Sequence, residues 1–581
     1  MAVDASQDAA SLPYHEPGIV VILVLTSFLL LLNVVNAALD RVLYCGLLGQ
    51  VLVGIAWGTP GAKWLSESLE ETVVQLGYLG LILLVYEGGL STSFQSLKAN
   101  LLLSSGVALT GILLPIGLSY TLQGLLDASP VQAFAAGAAL CSTSLGTTFT
   151  VLGSSGLATT RLGVVLTSAA MMDDVVGLVI VQVISNLGGD HFSWVTVVRP
   201  VFVSIAFAII APLVCLFVAK PSTAWLNAYR EAHPGAHLSA LLQRTQTAFV
   251  IHTLVLIALV AGATYAGTSN LFAAYIAGAS ISWWDSDVPH PTSFPATNAV
   301  DEKRQATVGP MLESSEGSSP DASKTTADQN QGAIPSRPTD MESEEHVVAT
   351  GGAAIYEQYY HPAVSKILQP FFFASIGFSI PITRMFRGAI VWRGIVYAVL
   401  MTFAKLVCGF WLVRFSISPG KKAPSRILSK VRLPSVPHLW GKSGGAPPAQ
   451  EGITTTQARA TPSRSRPTTS PSSTESEARS SPNPPKPFSL HPPLILAFAM
   501  CARGEIGFLI SGVAESQGVF GETSGEPTDI FLVVTWAIVL CTILGPLAVG
   551  LSVRRVNALQ ARKNKEQEGA GRDVLGVWGV E

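Results

Sequence analysis

Charge is scarce in this chain. Only 13% of its 581 residues are Asp, Glu, Lys or Arg, against about 25% in soluble globular proteins. The formal net charge of -2 and the lack of a separate basic domain exclude a nucleic-acid partner. Cysteine is sparse too. Cys45, Cys141, Cys215, Cys408, Cys501 and Cys541 each lie in an apolar stretch and form no CxxC pair. They are expected to be small buried hydrophobes, not a disulfide framework or a zinc site. No Gly-rich nucleotide fingerprint or Walker motif follows the last apolar run, and residues 554–581 are too few for a nucleotide-binding domain. ATP-driven work is therefore not expected, no cofactor is implied, and the chain is not read as an enzyme. Residues 1–17 carry Asp4, Asp8 and Glu16 but no Lys or Arg. A cleaved signal needs a basic n-region, so the first apolar run is expected to be a membrane helix.

What the chain does have is long apolar runs. A helix crossing the hydrocarbon core needs about 20 mostly apolar residues. About thirteen stretches qualify: 18–35, 42–58, 72–89, 100–122, 131–153, 162–185, 193–219, 247–266, 268–284, 363–383, 388–414, 490–516 and 529–553. The fold class is therefore an all-α, multi-pass membrane protein with the lipid bilayer as its solvent. Two runs, 247–266 and 268–284, almost touch and are the least distinct.

Basic residues orient the spans. Arg554, Arg555, Arg562, Lys563, Lys565 and Arg572 follow the last run, which puts that end in the cytoplasm by the positive-inside rule. Arg41, Lys98, Arg161, Lys220, Arg230, Arg244 and the run Lys421, Lys422, Arg426, Lys430, Arg432 fall on the same side. The outer loop with Glu522, Glu526 and Asp529 carries no base. Arg384 and Arg387 are exceptions on the outer side, attributed here to snorkelling at helix ends.

The expected organisation is an outer tail (1–17), nine helices (18–285), a polar inner loop (286–362), two helices (363–417), a basic inner loop (418–489), two helices (490–553) and an inner tail (554–581). Both loops are rich in Ser, Thr and Pro and cannot bury enough apolar surface to offset chain entropy, so disorder is expected. They are either tethers controlled by phosphorylation or tolerated insertions.

Ionisable residues inside spans are costly and default to function. Asp173 and Asp174 sit mid-helix in TSAAMMDDVVGLVIVQV, about 17 Å along the helix at 1.5 Å per residue. Neighbouring helical residues diverge by about 100°, so one carboxylate can face a cavity while the other faces a helix. A buried carboxylate offers a hard oxygen ligand to a proton or an alkali cation alike. Lys405, in VLMTFAKLVCGFWLV, needs a counter-charge, and Asp173 or Asp174 can supply it. Arg503 and Glu505 lie in AFAMCARGEIGFLISG beside Gly504 and Gly507. A second polar, Gly-containing interruption, CSTSLGTTFTVLGSSG, includes Thr143, Ser144 and Thr147. Such interruptions suggest unwound helices that line an ion site, although small residues also serve close helix packing. Glu87 lies at a helix end and reads as interfacial; His252 reads as a hydrogen-bonded packing residue.

The ordered set of a broken helix, MMDD, PFFFASIGFSI, AKLVCG and ARGEIGFLI resembles the monovalent cation:proton antiporter-2 family, which includes sodium/proton antiporters and Kef-type potassium systems. The similarity covers most of residues 18–553 but neither polar loop. It implies the thirteen-helix sodium/proton antiporter fold, with two inverted three-helix repeats at 100–185 and 388–553 whose broken middle helices cross. It further implies that Asp174 binds the cation (Na+ or K+) or H+, that Asp173 pairs with Lys405, and that Thr143, Ser144, Thr147, Arg503 and Glu505 support the broken helices. The Asp-Asp-plus-Lys set resembles electrogenic members. A homodimer is implied as well. The lack of a nucleotide-binding domain departs from Kef systems. Two other function classes remain at this level: a gated potassium channel, and a transporter-like sensor.

Overall fold

The computed structural model describes residues 16–92, 94–144, 157, 160–188, 194–233, 237–242, 244–287, 351–413, 490–521, 526–566, 575 and 578. The principal helices are α1 (Ile19–Leu43), α2 (Gly46–Trp57), α3 (Glu67–Leu90), α4 (Phe94–Ser119), α5 (Pro130–Ala139), α6 (Arg161–Leu187), α7 (Trp194–Val214), α8 (Thr245–Ala266), α9 (Asn270–Asp287), α10 (Gly352–Tyr359), α11 (Gln369–Phe378), α12 (Gly388–Leu406), α13 (His491–Ala499), α14 (Glu505–Ser516) and α15 (Asp529–Glu566). Among the described residues there is no strand. The chain is an all-α, multi-pass membrane protein: among the described residues, eight helices are long and apolar enough to cross a bilayer.

That number is smaller than thirteen because several expected spans are built from short pieces. The stretch 42–58 is carried by the 12 residues of α2. The stretch 490–516 is split between α13 and α14. The stretch 131–153 is represented by α5 alone, since residues 145–156 lie outside the described set. Elsewhere helices overrun their apolar cores. α7 continues through a π turn at Cys215–Ala219 into a polar helix, Lys220–Ala232. α15 runs on to Glu566. The near-contact of 247–266 and 268–284 is resolved by Gly267, whose φ of 83° closes α8 and lets α9 start at Asn270. That left-handed backbone favours glycine.

Local sequence fixes the starts of the elements that matter most. Ser129 and Gln132 form a reciprocal capping box with Pro130 at the first turn of α5, satisfying donors that the helix leaves orphaned. Thr160 caps α6 by accepting from the Gly163 amide at 3.3 Å. At the start of α15, Arg384 pairs with Glu526 at 3.0 Å and Asp529 at 3.2 Å. This corrects the snorkelling reading for Arg384: local acids neutralise it.

Residues 351–362 belong to the packed structure, although composition alone groups them with the polar loop. Asp285 accepts from the Gly352 amide at 2.6 Å, and Ile355 and Tyr356 of α10 are buried.

α4, α5 and α6 form one three-part unit, and α12, the α13–α14 pair and α15 form a second. In the second the middle element is interrupted between Ala499 and Glu505, and in the first α5 ends at Ala139 with non-helical chain at 143–144. α4 packs on both α6 and α12, and α14 packs on α5 and α6. The two interruptions are thereby brought face to face.

Candidate functional site

α5 ends at Ala139 and the chain is non-helical at 143–144; α13 ends at Ala499 and the chain is non-helical at 502–504. The Ser144 amide donates to the Ala502 carbonyl at 3.0 Å, so the unwound segments are joined backbone to backbone. Gly504 permits the approach, for a Cβ there would lie 2.5 Å from Ser144 Oγ.

Charges gather around this crossing. Asp173 of α6 and Lys405 of α12 form an ion pair at 2.7 Å, and both side chains are wholly buried. Lys405 Nζ also donates to the Cys141 carbonyl at 2.6 Å and to Thr143 Oγ1 at 3.1 Å. Thr143 donates its own hydroxyl proton to Asp173 Oδ2 at 3.0 Å. The hydroxyl therefore joins cation and anion in one hydrogen-bonded triangle. Arg503 is fully buried and donates from Nη1 to the Ser142 carbonyl at 2.7 Å. Two cations thus meet the free carbonyls at the C-terminal end of α5, where the helix dipole is negative. Glu505 occupies the first turn of α14, the positive end of that half-helix, and accepts from Ser144 Oγ at 3.4 Å.

Asp174 takes no part in the ion pair. It is 5% exposed and has Glu505, Asp173 and Lys405 as its charged neighbours. Oδ1 of Asp174 and Oδ1 of Asp173 have no hydrogen-bond partner among the described residues. A buried carboxylate oxygen without a donor is expensive, and it is also a free ligand atom for a proton or a hard cation. Three acids and two bases meet here, leaving one carboxylate in excess.

The structure therefore brings together Asp173, Asp174, Lys405, Thr143, Ser144, Arg503 and Glu505. Thr147 lies outside the described residues. Glu87 is half-buried in the last turn of α3, away from the crossing, beside Tyr356 and His361. His252 is 2% exposed and stands edge-on to Trp284, with ring centroids 6.1 Å apart. It packs as expected, and its Nδ1 has no hydrogen-bond partner among the described residues.

Sequence reading missed three contributors. Gly111 of α4 faces the ion pair. The carbonyls of Cys141 and Ser142 serve as cation acceptors. Thr542 of α15 holds the Arg503 carbonyl at 3.0 Å. Gly111 sits in an apolar helix with no local mark of its role, and backbone carbonyls carry no side-chain signal. The polar interruption at 141–144 pointed to the place but not to which atoms would be used.

Known proteins share parts of this sequence. The family described as sodium/hydrogen exchanger, transmembrane, matches residues 21–294. The Na(+)/H(+)-K(+) antiporter GerN of Bacillus cereus is 32% identical over 152 residues, covering 26% of this chain and 39% of the relative. The probable Na(+)/H(+) antiporter GerT of the same organism is 30% identical over 164 residues, 28% of this chain and 43% of the relative. The high-affinity Na(+)/H(+) antiporter NhaS3 of Synechocystis is 29% identical over 140 residues, 24% of this chain and 30% of the relative. The matches thus span less than half the length of these relatives. The solved structure of the sodium proton antiporter MjNhaP1 from Methanocaldococcus jannaschii superposes with a TM-score of 0.47 at 14% identity, over 92% of this chain and 98% of that one. By the family match and the sequence relatives, residues 21–294 are similar to the sodium/hydrogen exchangers.

Proposed function

We propose that this protein exchanges a monovalent cation, Na+ or K+, for protons across the membrane, with cation and proton competing for Asp174. The observation that carries the reading is the excess carboxylate at the helix crossing. Asp173 is matched by Lys405, whereas Asp174 has two acids beside it and an oxygen free of hydrogen bonds among the described residues. A bare charge in a low-dielectric core costs several kcal/mol even after relaxation. The site is therefore stable when one monovalent positive charge offsets the excess, and either a proton or an alkali cation supplies it.

Mutual exclusion at one site couples the two flows. The carrier changes its exposed side with Asp174 protonated or cation-bound, and is held back when Asp174 is bare. The unit built from α4–α6 and α12–α15 is rigidly cross-tied by Ser144, Ala502, Arg503 and Lys405. It is the natural moving body, with the remaining helices as its frame. Ser144, Thr143 and Glu505 offer further oxygens to a partly dehydrated cation. Asp173 and Lys405 can exchange a second proton if their pair opens during the cycle, which would make exchange electrogenic.

The test is purified protein in sealed vesicles with an imposed pH gradient, challenged in turn with lithium, sodium, potassium and rubidium salts. Dissipation of the gradient by at least one cation, in proportion to protein, is expected. A gradient indifferent to every cation would remove the exchange reading. Currents far beyond carrier turnover would replace it with a channel.

A further inference from the structure

A cavity of about 900 Å³ lies beside α6, at the end of the bundle where α4 begins and α9 ends. Its volume falls within the ~300–1,000 Å³ of small-molecule sites. The charge rule puts this end at the cytoplasmic leaflet. Most of the wall is apolar: Leu109 and Ile112 come from α4, Met172 and Val176 from α6, and Ala208 from α7, with Leu216 in the π turn beyond it. Leu109, Val176 and Leu216 are 58%, 38% and 47% exposed. In a spanning protein such side chains meet lipid, so the cleft between α4 and α7 opens sideways into the hydrocarbon. α7 does little to close it, for only 6% of its apolar window is buried.

The mouth is different in kind. Lys98 stands in the first turns of α4, and Asp287 ends α9; both line the cavity and both are exposed. The Trp283 indole donates to Asp287 Oδ2 at 2.8 Å, which orients the carboxylate. Trp283 itself lines the cavity, at a depth where amphipathic rings prefer the interface. From Leu97 to Ile112 the α4 wall runs about 22 Å at 1.5 Å per residue. This exceeds the ~15 Å depth of one leaflet of a ~30 Å core.

A groove with a mostly apolar, laterally open wall is a poor path for a hydrated ion and a good one for an alkyl chain. A cation and an anion that both line its head match a headgroup that carries both signs. We infer that this cleft binds a glycerophospholipid of the inner leaflet, with one acyl chain between α4 and α7. The headgroup phosphate rests on Lys98, and a primary ammonium on Asp287. None of the charged residues of the Asp174 cluster lines the cleft, whose inner wall, at Met171, Val175 and Tyr275, adjoins Asp174.

The test uses the full chain, purified in detergent, stripped of lipid and titrated with defined lipids while bound copies are counted by native mass spectrometry. Phosphatidylethanolamine should bind about tenfold more tightly than phosphatidylglycerol, which lacks the ammonium; tenfold is the scale of one charge-assisted contact. Asp287→Asn should abolish that preference. Lys98→Gln should weaken both lipids by about tenfold, because both carry the phosphate. Ala208→Phe fills the groove from an exposed position on α7, so folding is not at stake, and it should remove the retained lipid. Equal affinity for the two headgroups in the parent, or undiminished retention in Ala208→Phe, would overturn the inference. So would unchanged affinities in Lys98→Gln.

Discussion

Gly111 of α4 stands directly against Lys405: a Cβ at that position would lie 2.9 Å from Nζ and 3.1 Å from Asp173 Oδ2. Neither atom can retreat freely, because each is held by the other and by Thr143. Gly111→Ala should therefore disrupt the ion pair and slow vesicle exchange by at least about tenfold, the equivalent of roughly 1.4 kcal/mol. Gly117→Ala in the same helix is the control, since nothing lies within 4 Å of its Cβ. It should be neutral or stabilising by about 0.5–1 kcal/mol. Equal behaviour of the two variants in transport and melting would show that Gly111 does not shape the site.

Asp174→Asn should abolish cation-dependent proton movement and leave the fold intact. The amide keeps the volume but can neither lose a proton nor neutralise a cation. It also removes the excess charge at the crossing, so the melting temperature should stay the same or rise. An Asp174→Asn protein that exchanges at the parental rate would end the single-site mechanism.

Thr143→Val replaces the hydroxyl shared by Lys405 and Asp173 with a methyl of similar size. The buried pair loses one donor and one acceptor, and a loss of about 1–3 kcal/mol in stability is expected. Thr143→Ser, which restores the hydroxyl, should recover most of it. Melting curves of the three proteins decide the point; a Thr143→Val variant as stable as the parent would show the triangle to be incidental.

Much of this site was legible before any coordinates. Acids and bases inside apolar runs are rare enough that Asp173, Asp174, Lys405, Arg503 and Glu505 each stood out, and the broken helices showed in their Ser, Thr and Gly content. The partner of Lys405 was narrowed to two carboxylates because hydrophobic helices offered so few alternatives. Gly111, Thr542 and the Cys141 and Ser142 carbonyls were not legible, since their roles depend on which helix faces are apposed. The sequence periodicity of an all-round apolar helix does not encode that facing. Length was misleading at α7 and α15, where helix continues through polar residues that hydropathy assigns to loops. The opposite error occurred at α10, where a short run with two glycines and charged neighbours still buries Ile355 and Tyr356.

Arg384 is a charge with a structural account and no expected part in exchange. Its pairs with Glu526 and Asp529 lie on partly exposed ground, where about 0–1 kcal/mol is the usual scale. Arg384→Gln should change melting by no more than about 1 kcal/mol, with a smaller effect at high salt, and leave vesicle exchange at the parental rate. Loss of exchange in a folded Arg384→Gln protein would mean that these pairs at the start of α15 couple to the site.

Lys405 sets the charge balance of the proposed cycle. It is wholly buried, bonded to Asp173 at 2.7 Å and to the Cys141 carbonyl at 2.6 Å. If the pair opens as a cation arrives, Lys405 can release a proton of its own, so that two protons exchange for one monovalent ion. Net charge then moves with each turnover, and a membrane potential should drive the parent protein. Lys405→Gln keeps a polar group of similar reach but carries no proton. It should give either an inactive protein or an exchanger indifferent to potential. It also strands Asp173 without its cation, and breaking a buried pair from one side typically costs about 3–5 kcal/mol. Transport is to be measured in vesicles clamped at zero and at negative-inside potential, for parent and variant, beside a melting curve of each. A parent that ignores potential would remove the two-proton cycle. A Lys405→Gln protein with unchanged melting and unchanged response to voltage would reduce Lys405 to a spectator of the crossing.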